Sequence, residues 1–153
     1  MMRIVKYSAL LITLACFLAG CASTSNRDLI AVTELKKAET LGGDYLALQG
    51  RWTVTHNELK RNVLSKMHGS VFVFRDNEFF VQGDTGTEFY RLREDLTPKH
   101  IDFISGNSVI RGIYELNGDQ LTLCTAAPGD KRPTAFRTSI LRGDILTRVK
   151  RKN

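Results

Sequence analysis

From Gly50 to the end of the chain, apolar and polar residues alternate with a period of two, and turn signals interrupt the alternation every 8 to 12 residues. That period puts successive side chains on opposite faces of a strand. Strands are expected at 51–58, 70–75, 78–81, 88–93, 100–104, 109–116, 120–125, 134–140 and 145–150. The turns between them carry Asp76-Asn77, Gly83-Asp84-Thr85-Gly86, Ser105-Gly106-Asn107, Asn117-Gly118-Asp119, Pro128-Gly129 and Arg142-Gly143-Asp144. Asn117-Gly118 between two apolar alternations is a strong hairpin signal. No crossover helix is available to build a parallel sheet, so the pattern implies an all-β antiparallel barrel or sandwich.

The N-terminus follows other rules. Arg3 and Lys6 open the chain, and the next charged residue is Arg27. Between them runs an apolar segment too short for the ~20 residues of a spanning helix. A positive start, a short apolar run and small residues are the parts of a secretory signal peptide. The segment ends in Leu18-Ala19-Gly20-Cys21, which resembles the lipobox of bacterial lipoproteins. The resemblance implies cleavage before Cys21, lipid on its thiol, and a periplasm-facing protein held at the cell envelope. Ala22, where an aspartate would favour inner-membrane retention, points to the outer membrane. Residues 1–20 are then the signal peptide and 21–43 a lipidated tether with one N-terminal helix. That helix is expected at 28–40, capped from Ser25 and stopped by Gly42-Gly43, with a further turn at 44–49. Residues 44–153 form the β domain.

Loss of Arg3 and Lys6 with the signal would leave 20 basic against 16 acidic residues, a charge of about +4 spread along the chain. The Lys150-Arg151-Lys152 tail is read as a solvated terminus, and no nucleic acid is expected as partner. Of three cysteines, Cys16 leaves with the signal and Cys21 carries lipid, so Cys124 stands alone. The domain therefore contains no internal disulfide, and its stability must come from its core.

Gly50-Arg51-Trp52 resembles the Gly-x-Trp signature of lipocalins. In that family the tryptophan plugs the closed end of an up-and-down barrel, and an arginine of the last strand lies over its ring. The resemblance assigns these roles to Trp52 and Arg148. A longer match covers about residues 46–151 and resembles an uncharacterised lipocalin-like family described mainly from planctomycete bacteria. It is carried by Leu48-Gln49-Gly50-x-Trp52, Pro98-Lys99-x-Ile101-Asp102, Gly112-Ile113-Tyr114-Glu115-Leu116-x-Gly118-Asp119-x-Leu121-x-Leu123-Cys124 and Arg132-Pro133-Thr134-x-Phe136. The resemblance implies a small lipocalin-like β-barrel of eight or nine strands, preceded by the N-terminal helix, and implies no activity. The third and fourth strands, 78–81 and 88–93, are short for a lipocalin.

Asp84-Thr85-Gly86 spells the aspartic-protease triplet. That chemistry needs two such aspartates sharing a proton in an apolar site, and the chain has one copy in a polar turn. His56, His68 and His100 lie far apart without ligand-spaced partners, so no metal is expected. No nucleophile elbow or phosphate-binding glycine loop occurs, and neither an enzyme nor a cofactor is expected. Phe72, Phe74, Phe79, Phe80, Phe89, Tyr90, Phe103 and Tyr114 either fill the barrel or line a pocket. Arg111 either points inward to meet a ligand carboxylate or outward as a surface charge. The expected function is a membrane-anchored binding module for a small apolar or amphipathic ligand. The alternative is a protein-interaction lipoprotein, an envelope scaffold or hydrolase inhibitor, with a solid barrel.

Overall fold

A computed structural model describes residues 42–152. The signal segment 1–20, Cys21 and the helix expected at 28–40 lie outside the described residues. Helix α1 (Gly43–Leu48) leads into β1 (Gly50–Leu59), β2 (Asn62–Val63) and a 3-10 turn (Ser65–Met67). Then follow β3 (Val71–Arg75), β4 (Glu78–Val81), β5 (Glu88–Arg93), β6 (Lys99–Ser105), β7 (Ser108–Asn117), β8 (Gln120–Thr125) and β9 (Ile145–Arg151). From β3 onward each strand pairs antiparallel with the next, and β9 returns to β1. Eight strands thus close a barrel, and β2 is an extra strand paired only with the end of β1. Closure leaves no long edge to seed aggregation.

The strand expected at 134–140 does not form. The β8 strand pairs directly with β9, and β9 with β1, so no ladder position is vacant. Residues 126–144 instead form a strap over the outer face of β7, β8 and β9. Beneath it Phe136 packs on Ile113, Cys124 and Leu146, a small second core outside the barrel. Arg132 fastens the strap: its Nη1 lies 2.7 Å from Asp102 Oδ1 and donates to the carbonyls of Ile101 and Gly112. Gly112 is closely packed, and a Cβ there would press on Thr125, the Cys124 carbonyl and Ile101 at 3.0 to 3.2 Å.

The lumen is the main core. Trp52, Val54, Phe72, Phe74, Tyr90, Leu92, Ile101, Phe103, Tyr114, Leu121, Leu123 and Val149 form one buried cluster with Leu48 of α1. Each such side chain contributes roughly 1.5–3 kcal/mol by leaving water. Register alternation produces this directly: Trp52 faces Phe72, Tyr90 faces Phe103 and Tyr114 faces Leu123. A β-bulge between Val54 and His56 shifts β1 against β9. The shift turns Asn57 inward, where its amide donates to Thr147 Oγ1 at 2.8 Å; the pair satisfies two polar groups that would otherwise be orphaned.

Candidate functional site

One end of the barrel is capped by α1, whose Leu48 enters the main core. Six residues make a marginal helix on their own, so α1 is held by tertiary bonds. Asp44 accepts from Lys99 Nζ at 2.6 Å and from the Tyr114 hydroxyl at 2.7 Å. Gln49 donates to the carbonyls of Tyr45 and Asp76 and accepts from the Asp76 amide. Gly50 turns the chain into β1 at φ +112°, a region that favours glycine. Trp52 is fully buried and donates its indole N–H to Leu48 O at 2.8 Å. The arginine over its ring is Arg151, with Cζ 4.2 Å from the ring centroid. Arg148 does not fill that role. It pairs with His56 and points to solvent, three residues from Arg151 and so on the opposite face of β9. Burial, with the Asp44 carboxylate alongside, holds the Tyr114 hydroxyl firmly neutral. Lys99, Ile101, Asp102, Gly112, Tyr114 and Arg132 thus bond or pack against one another or α1, and their role is structural.

Aromatic side chains run through the lumen in contact: Tyr45 stacks on Tyr90, Tyr90 meets Phe74 edge-on, and Phe79 touches Phe74, Phe72 and Phe103. Of the eight aromatics singled out in the sequence, six pack into this core. Phe80 instead lies under the Arg75 guanidinium, and Phe89 is exposed.

At the other end the wall opens. The β4–β5 pairing is limited to Glu78 with Phe89 and Phe79 with Glu88. Beyond it the connection carrying Asp84-Thr85-Gly86 lies outside both strands. The opening is a groove of about 310 Å³ lined by Phe79, Phe80, Val81, Glu88, Ser105 and residues 84–87. Phe79 and Val81 also pack on the main core, so the groove floor is apolar. Glu88 shares its strand face with Tyr90 and Leu92, and no cation or donor among the described residues contacts its carboxylate. Burial raises its pKa.

No family model matches this chain, and no curated protein or solved structure matches it either. The site must therefore be read from its own residues. Asp84 is exposed, and no second aspartate faces it across the groove. His56 lies 3.3 Å from Glu58, His68 is exposed, and His100 is half-buried beside Arg132, where desolvation lowers its pKa. Among the described residues no three His, Cys, Asp or Glu side chains cluster as a metal site. Arg111 points outward, opposite Asp102 in the β6–β7 ladder. Cys124 is buried, with its thiol pushed up to about 11, so it is an unreactive part of the outer core.

Sequence reasoning missed Glu88 and Arg151. The short 78–81 strand was the signal for the groove. For Arg151 the alternation along β9 was ambiguous, because Leu146 is apolar on the outer face beneath the strap.

Proposed function

We propose that this protein is a lipid-anchored, non-catalytic binding module of the cell envelope, facing the periplasm from the outer membrane and built on a lipocalin-like barrel. Its ligand is a small amphipathic molecule whose apolar body lies on Phe79 and Val81 and whose cationic or hydrogen-bond-donating head meets Glu88. The site is the β4–β5 groove instead of the lumen. One observation carries this reading: a half-buried carboxylate without a partner stands beside an apolar groove floor. Desolvating a charge is unfavourable unless something pairs with it, and an incoming cation would supply the pair. Anchoring rests on the lipobox reading of Cys21; among the described residues no helix is long and apolar enough to cross a membrane.

Native mass spectrometry of the barrel incubated with dodecylamine and with lauric acid tests the reading. Retention of the amine, its loss in Glu88→Gln, and indifference to the acid are expected. Equal retention of both by the two proteins would overturn the role of Glu88, and retention of neither would remove the groove as a ligand site. The filled lumen favours a second reading, a protein-interaction lipoprotein acting through its exposed loops.

A further inference from the structure

Two neighbouring turns at the open end carry residues that ordinary turn chemistry disfavours. The β1–β2 hairpin turns at Lys60 and Arg61, between the paired residues Leu59 and Asn62. Both have positive φ, +50° and +66°. Asn-Gly is the least strained choice for such a turn, and a long side chain at either position is uncommon. The second turn lies in the strap, where the Arg142 amide bonds back to Ser139 O. Its tip is Ile140-Leu141, 62% and 90% exposed. A polar tip would be the favourable choice in water.

The two turns are joined. The Arg61 amide donates to Thr138 Oγ1 at 2.8 Å, and Thr138 in turn hydrogen-bonds Glu58, the ladder partner of Val63. Val63 is itself 66% exposed. Three aliphatic side chains therefore stand out on joined segments beside the exposed cations Lys60, Arg61 and Arg137. None of these cations pairs with a carboxylate among the described residues. The nearby acids are engaged: Glu58 with Thr138 and His56, and buried Asp144 with Arg142.

We infer that this rim docks on an anionic phospholipid surface, with Ile140 and Leu141 entering the headgroup boundary and Lys60, Arg61 and Arg137 meeting lipid phosphates. An aliphatic tip flanked by unpaired cations has the two complementary elements of interfacial binding: apolar area to bury, and charge attracted to anionic lipid. Strain at Lys60 and Arg61 persists because the ladder and the Thr138 bond hold the turn, and it places two cations at one tip. The inference is independent of the β4–β5 groove, which lies on another side of the same rim.

The barrel closes and fills its core within residues 42–152, so this part can be tested without an anchor. Co-sedimentation with phosphatidylglycerol vesicles and with phosphatidylcholine vesicles is the measurement. Binding to the first alone, weakened by added salt, is expected. Ile140→Ser with Leu141→Ser should weaken it by at least about tenfold, since each side chain withdraws one buried aliphatic group. Arg137→Glu should weaken it too, whereas Leu46→Ser at the closed end should leave it unchanged. As a readout independent of affinity, a Leu141→Trp variant should show a blue-shifted emission when anionic vesicles are added. Absence of binding, or equal binding by the double variant with its urea midpoint unchanged, would overturn the inference. A concentration-dependent dimer abolished by the same substitutions would assign the patch to a second copy of the chain and overturn it as well.

Discussion

The guanidinium of Arg151 lies over the indole of Trp52 and at the same time donates to the carbonyls of Gln49 and Ala47. One side chain from the last strand thus covers Trp52 and satisfies helix-end carbonyls that have no partner within α1. Trp52→Ala is expected to destabilise the barrel by ~3–5 kcal/mol. Arg151→Ala should cost about 1–2 kcal/mol, through the lost ring contact and the orphaned carbonyls. Arg148→Ala should stay within about 0.5 kcal/mol. Urea unfolding of the double-mutant cycles checks this: Trp52 should couple with Arg151 and not with Arg148.

The strap depends on Arg132. Arg132→Ala should cost about 1.5–3 kcal/mol, because it removes a charged donor and leaves Asp102 and two carbonyls less well satisfied. Hydrogen exchange should show amides of 126–144 losing protection while those of β3 to β5 keep theirs. Uniform loss over both regions would show that the strap does not open separately from the barrel.

Glu88 makes stability pH-dependent. Its folded pKa is raised by burial, so the folded state holds the proton more tightly than the unfolded chain. Stability should therefore fall as pH rises through the interval between the unfolded and folded values, then level off. Glu88→Gln should raise the melting temperature slightly at pH 7, and the gain should disappear below pH ~4, where both states are protonated. A variant less stable than the parent at pH 7 would contradict the desolvation account.

Cys21→Ala should abolish incorporation of labelled palmitate and leave an unprocessed precursor or an unanchored product. Fractionation of cells expressing the full chain tests this. Label retained in the variant would refute Cys21 as the attachment point.

The all-β architecture and most of its strands were legible in the residue order, because alternation and turn chemistry are local properties. Strands 88–93 and 120–125 and the Asn117-Gly118 hairpin needed no tertiary information. The plug role of Trp52 came from the Gly-x-Trp resemblance; the ring itself is fully buried, with Arg151 over it. Alternation alone left barrel and sandwich open, and the closure through β1 and β9 that the barrel expectation required depends on which edges remain unpaired once every strand is placed. The same accounting turned 134–140 from a strand into a strap. Its Phe136 covers an outer face whose need for covering arises only when Ile113, Cys124 and Leu146 come together. The exchange of Arg148 for Arg151 follows from register: Arg151 is the β9 residue paired with Trp52, whereas Arg148 stands opposite His56 on the outer face. The groove beside Glu88 exists because β4 and β5 part after two residue pairs. Local pattern therefore determined most of the elements and their inward faces, whereas tertiary pairing decided which arginine covers Trp52, where the wall opens and which turns stand exposed.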